Sequence, residues 1–281
     1  MTNVLPRRAF AAATLLPAAL LASRAEAVDA GPESTFARVQ RTKTIRVAAL
    51  PGELPWFAKD LASGEWSGAA IEMARDIAKV FDAKLEYVES TYGNSVLDLQ
   101  SNKIDLAFAL NPTPARALAV RFTHPVINHP FGCLARKDLA PKTWADINKP
   151  ELKIAVDLGS THETVARRFA PKAQILGFRN RDEAMLALQS GRADVDILAV
   201  LLGVTALVKN PSLGPYHLLS DPAVALPSNC AVQREEDTRF VEVVDAYIEF
   251  NRAIGATREY VFNGLTKMGV NLDDLPPNLV L

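Results

Sequence analysis

The chain has 281 residues, 49% hydrophobic and 22% charged, an ordinary globular composition and enough length for one large domain or two lobes that each bury a core. Its 31 basic and 32 acidic residues give a formal net charge of −1, without the clustered basic surface that a nucleic-acid partner calls for.

In chain order, the first segment stands apart. Arg7 and Arg8 form a basic start, residues 9–22 are apolar apart from Thr14 and Pro17, and Ala25-Glu26-Ala27 is a small-x-small cleavage pattern. The apolar run is shorter than the roughly 20 residues that a spanning helix needs. It predicts a cleaved signal peptide over 1–27, with Arg-Arg-Ala-Phe resembling a twin-arginine signal. No Cys follows the run, so a lipid anchor is not expected. Removing 1–27 takes away Arg7, Arg8, Arg24 and Glu26 and leaves a chain near −3, expected to be soluble and exported to the periplasm. There Cys133 and Cys230 could form a disulfide if their α-carbons come within about 7 Å; two buried thiols are the other reading, and the sequence leaves both open.

Residues 44–50 read as a strand, 69–81 as a helix with apolar spacing at Ile71, Ala74, Ile77, Ala78 and Phe81, and 84–88 as the next strand. In the second half, 153–158 and 173–178 read as strands, and 163–169 and 182–189 as helices. Residues 237–254 and 257–268 are amphipathic helices, and the Pro- and Asn-rich tail 273–281 reads as a surface strap. Strands alternating with helices predict parallel sheets faced by helices, with ligand-binding loops at the strands' carboxyl ends. An internal echo adds to this. Residues 97–107 (LDLQSNKIDLA) match 186–196 (LALQSGRADVD), each a helix end, an Asn or Gly stop, a basic residue and an Asp opening a strand. The repeat predicts two lobes built to one plan.

Further motifs sharpen the reading: Trp66-Ser-Gly before the first helix, Thr113-Pro-Ala-Arg, Val120-Arg-Phe-Thr-His-Pro-Val, Gly159-Ser-Thr after a second-half strand, and Ser190-Gly-Arg-Ala-Asp. With Leu99-Gln-Ser-Asn-Lys-Ile-Asp, in this order and spacing, the chain over roughly 36–268 resembles the bacterial extracellular solute-binding proteins of the polar amino-acid type, family 3. The resemblance implies an α/β, two-lobed periplasmic-binding-protein fold (type II), each lobe a mostly parallel sheet flanked by helices. Lobe one would be 34–128 plus 232–268, lobe two 129–231, and 269–281 a tail. The lobes would be joined by crossing strands at 131–136 and 229–233 and close over ligand by hinge motion. It also implies a small carboxylate-bearing ligand, amino acid or related organic acid, delivered to the permease subunits of an ABC importer by a monomeric protein that is not an enzyme.

Candidate ligand contacts follow. Arg116, the arginine of T-x-x-R, would grip a carboxylate with its planar guanidinium; otherwise it is a surface arginine in a Pro-rich loop. Ser160 and Thr161 lie where a helix begins, whose N–H groups attract anions; simple N-capping is the compatible alternative. Asn111 would hydrogen-bond the ligand or start an Asn-Pro turn, with Ala109 on the same side of an extended segment. Trp56 and Tyr92 would wall the cleft or pack in the core, and Glu53 would face ligand or water. The resemblance places the acid that holds an α-ammonium at about Ala199, in an apolar stretch, so either Asp196 or Glu53 substitutes or the ligand lacks the usual ammonium contact. No metal, cofactor or catalytic residue is expected: G-x-S-x-G and H-E-x-x-H are absent. His162 after the Gly-Ser-Thr turn, and His124 and His129 around the first crossing, keep open an enzyme of the same fold resembling the cyclohexadienyl dehydratases; a ligand-sensing module is the third reading.

Overall fold

The computed structural model describes residues 33–275 together with Met1; the expected signal peptide and residues 276–281 lie outside the described residues. Helix α1 (Thr35–Thr42) opens on Ser34, whose hydroxyl accepts from the Ala37 N–H. Then come β1 (Thr44–Ala49), the short hairpin β2 (Ala58–Lys59) and β3 (Trp66–Ser67), α2 (Ala69–Val80), β4 (Lys84–Glu89), α3 (Tyr92–Gln100), β5 (Leu106–Leu110) and α4 (Pro114–Ala119). The long strand β6 (Val120–Ala135) leads to α5 (Trp144–Ile147), β7 (Lys153–Asp157), α6 (Thr161–Phe169), β8 (Gln174–Phe178), α7 (Arg181–Gln189), β9 (Val195–Ala199) and α8 (Val200–Lys209). The chain ends through β10 (Tyr216–Leu218), β11 (Ala225–Gln233), α9 (Arg239–Ala253), α10 (Ala256–Lys267) and a 3-10 turn at Leu272–Asp274.

One sheet runs in the order β4-β1-β5-β11-β6-β9-β7-β8, with β10 beside β6. At one end β1 pairs in parallel with β4 and β5; at the other β7 pairs in parallel with β8 and β9. Between them β6 and β11 run antiparallel and cross from one half to the other. The fold is therefore the two-lobed type II periplasmic-binding-protein architecture: two parallel α/β lobes joined by two crossing strands. The local reason is visible in α2. Its Ile71, Ala74, Ile77 and Ala78 are buried on one stripe while Glu72, Arg75 and Lys79 stay out. Each buried isoleucine of this stripe contributes about 1.5–3 kcal/mol, each alanine methyl less.

Two findings depart from the sequence pattern, and a third decides what it left open. Helix α8 has buried Val200, Leu201, Leu202, Gly203 and Thr205 and packs with the large core cluster that also holds Ile45, Val47 and Ile71. A helix that is apolar all round carries no amphipathic period to read. Ala109, expected on an extended segment, has φ +59, a left-handed conformation that costs a non-glycine residue about 1–2 kcal/mol. The β5–β11 register shifts beside it, between Asn229 and Ala231. Finally, Cys133 on β6 and Cys230 on β11 are buried free thiols, not a disulfide. Burial raises the pKa of both. No helix among the described residues is long and apolar enough to cross a membrane.

Candidate functional site

The lobes face one another around α4 and the start of α6. Thr113 caps α4, accepting from the Arg116 N–H at 3.2 Å, and Pro114 occupies the first turn, where its missing N–H is no loss. This short, capped helix holds Arg116 over the cleft. Its Nη1 donates to the Asn111 carbonyl (3.2 Å) and its Nη2 reaches across to the Gly159 carbonyl (2.8 Å). Burial lowers its pKa from a very high value, so it remains a cation. Asn111 is fixed by donating Nδ2 to the Pro227 carbonyl at 2.7 Å, and its Oδ1 accepts from the Thr161 hydroxyl of the other lobe.

Ser160 is the N-cap of α6: its Oγ accepts from the Glu163 N–H (3.2 Å) and lies 2.8 Å from Asp157 Oδ1. The turn before it needs glycine. Gly159 has φ +74, and a Cβ there would stand 2.9 Å from the Gly93 Cα. Glycine faces glycine across the cleft at this point. Arg116, Asn111, Thr161, His129 and His162 share a small chamber with Tyr92. Its walls nearly touch, leaving about 10 Å³, roughly one water.

Beside it lies a second cavity of about 270 Å³, shared by Glu53, Tyr92, Asp157 and Arg181. Arg181, only 4% exposed, is the hub: it donates to Asp157, to Asp196 Oδ1 (3.2 Å) and to His162 Nδ1 (2.7 Å), with Nε 3.8 Å from Glu53 Oε1. Because a guanidinium only donates, His162 Nδ1 accepts, and the imidazole is neutral; burial and the Arg181 charge both lower its pKa. Burial works to raise Asp157, yet the Arg181 guanidinium, with the Ser160 hydroxyl, holds it well below the usual carboxylate range. Asp196 goes the other way, pushed by burial up to about 7 against the pull of Arg181. Glu53 is pushed by burial up to about 8, again against Arg181, and accepts from the Tyr92 hydroxyl at 3.0 Å.

Of the seven residues singled out from sequence, six meet here: Arg116, Asn111, Ser160, Thr161, Tyr92 and Glu53. Trp56 does not. It is 1% exposed within the core cluster of the first lobe, the second of the two readings the sequence left open. Asp196 and Glu53, the acids considered for a ligand ammonium, both face Arg181 instead. Ala199 closes β9, fully buried, and pairs with Phe131 across the ladder. Sequence reasoning missed Arg181 and Asp157. Arg181 follows the Asn180 cap of α7 and looks like an ordinary helix start; only the tertiary fold turns it inward.

The profile of "Bacterial extracellular solute-binding proteins, family 3" matches residues 45–259. The ABC transporter glutamine-binding protein GlnH of Bacillus subtilis is 28% identical, over 79% of this chain and 81% of its own. A cyclohexadienyl dehydratase of Pseudomonas aeruginosa is 26% identical, over 78% of this chain and 84% of its own. Among solved structures, the ancestral amino acid-binding protein AncCDT-1, described as a precursor of cyclohexadienyl dehydratase, superimposes with a TM-score of 0.73. It is 28% identical and covers 82% of this chain and 99% of its own.

Proposed function

The chain belongs to the bacterial extracellular solute-binding proteins, family 3, and from that membership we propose that it captures a small carboxylate-bearing solute between its lobes and hands it to an ABC importer. The ligand is an amino acid or a related organic acid, the compartment is the periplasm, and the partners are the permease subunits, met by a monomer. The lobes are taken as 34–128 plus 232–268 and 129–231. Relatives named for amino-acid binding and ABC transport support this reading.

One observation carries the site: Arg116, held from the first lobe, donates to the Gly159 carbonyl at the entrance to α6 of the second. When the lobes part, that guanidinium, Asn111 and the Ser160–Thr161 helix start are all turned to the cleft. A carboxylate is a stronger acceptor for guanidinium than a backbone carbonyl, and helix N-termini favour anions. A carboxylate therefore replaces the interlobe contact and draws the lobes together over itself. Tyr92 walls the chamber, and Glu53 sets the neighbouring cavity. Trp56 serves the core.

The test is thermal denaturation of residues 28–281 against amino acids and mono- and dicarboxylates. A ligand at 100 times its Kd stabilises the native state by about 2.7 kcal/mol. Arg116→Ala is expected to weaken the hit by about 100-fold, through loss of charge-assisted hydrogen bonds. A hit indifferent to Arg116→Ala would sink the carboxylate reading.

A second reading rests on Glu53, a carboxyl that keeps its proton at neutral pH beside a cavity. Such a group is suited to general acid catalysis, and one relative is named as a dehydratase. Loss of water from a cyclohexadienyl substrate yields an aromatic ring. Appearance of that ring's ultraviolet absorbance, abolished by Glu53→Gln, establishes the enzyme; a flat trace leaves binding alone.

A further inference from the structure

Arg116, Asn111 and Thr161 account for one end of a ligand. The rest of their chamber is lined by two imidazoles, a phenol and aliphatic groups, with no carboxylate among the lining residues. Of the nearest acids, Asp157 and Asp196 are bound by the Arg181 guanidinium, and Glu53, 3.8 Å from its Nε, holds its proton at neutral pH. The chamber itself thus holds no negative partner for a bound cation, and burying an unpaired ammonium is costly.

His129 is the group that remains. It sits on β6, its backbone fixed opposite Leu226 of β11, and it is 5% exposed. Its ring is held edge-on against Phe131 (centroids 6.0 Å, 82°), and Phe131 in turn packs on His162 at 5.3 Å. Its Nδ1 is buried without a hydrogen-bond partner among the described residues. Burial, and the neighbouring His162, lower its pKa to about 3, so the ring is neutral. A neutral imidazole offers one donor and one acceptor. An ammonium can only donate and a ketone can only accept; a hydroxyl does both, and meets the ring in either tautomer.

Resting on the carboxylate reading above, we propose that the cleft selects a hydroxy acid over the matching α-amino acid. Arg116 holds the carboxylate, and His129 reads the neighbouring hydroxyl. Arg181 enforces the choice by occupying Asp157 and Asp196, which would otherwise receive an ammonium.

The test uses the wild-type protein, residues 28–281, and matched pairs measured by calorimetry: lactate and alanine, malate and aspartate, 2-hydroxyglutarate and glutamate. The hydroxy acid of the best pair is expected to bind at least about tenfold more tightly than its amino partner, the worth of one buried hydrogen bond without a buried cation. His129→Phe fills the same space, and is expected to keep its melting temperature while losing that preference. An amino acid that binds better than its hydroxy partner, and does so through Arg116, overturns this inference and leaves carboxylate capture standing. A preference that survives His129→Phe overturns the role of His129. A panel with no Arg116-dependent binder overturns both readings together.

Discussion

Two residues in the cleft carry protonation states that differ between folded and unfolded chain, and each makes a stability prediction. Glu53 has a folded pKa of about 8 against an ordinary value of 4.5. Between those values the folded state holds a proton that the unfolded state releases. Stability therefore falls as pH rises from about 4.5 to about 8, by at most about 1.4 kcal/mol per unit. Glu53→Gln removes that decline. Denaturant titrations across this range are expected to show the stability of Glu53→Gln gaining on wild type as pH rises, with the gap constant above 8. Parallel curves would mean that Glu53 is already ionised. His129 works at the other end. Its folded pKa of about 3 lies below the ordinary 6.5, so the unfolded state takes up the proton first and stability is lost as pH falls from 6.5 towards 3. His129→Phe is expected to lose less stability than wild type over that acid range. At this scale the sequence named Arg116 and Asn111 through their motif. Arg181 escaped it, because a lone arginine after an Asn cap is written the same way whether it points to water or to three acids.

The element that matters most is α6, whose start lies opposite Arg116. Ser160→Ala removes both the cap on the Glu163 N–H and a hydrogen bond to Asp157. A loss of about 0.5–2 kcal/mol in denaturant unfolding is expected from the cap. On the proposed reading the helix start meets the anion, so ligand affinity should fall as well. Unchanged affinity would show that α6 only supports the site. Amphipathic elements were legible: α2, observed at Ala69–Val80, was expected over 69–81, and β4, β7 and β8 fall within a residue or so of their apolar runs. Helix α8 was not, because a sequence that is apolar nearly all round carries no periodicity on which the reading can depend. Of the 16-residue strand β6 only the crossing at 131–136 was expected; its earlier part pairs with β11 before the strand passes to β9.

For the whole molecule, closure depends on how near the lobes come. The close pass of Gly93 and Gly159 marks that limit, since a Cβ on Gly159 would stand 2.9 Å from backbone. Gly159→Ala is expected to wedge the cleft and strain the φ +74 turn. Small-angle scattering at saturating ligand should then give a larger radius of gyration than wild type, with affinity reduced about tenfold or more. An unchanged radius would place the hinge limit elsewhere.

The sequence by itself determined the two-lobed α/β fold, the family and the arginine of T-x-x-R, because these are local: periodicities, caps and spaced motifs survive in one dimension. The charge balance of the cleft was decided by tertiary structure alone. Glu53, Asp157, Asp196 and Arg181 come from four separate segments, and only the crossing of β6 and β11 sets the two lobes face to face. Whether an acid is open to a ligand or already satisfied by an internal guanidinium is a matter of distance and burial, and neither is written in the order of residues.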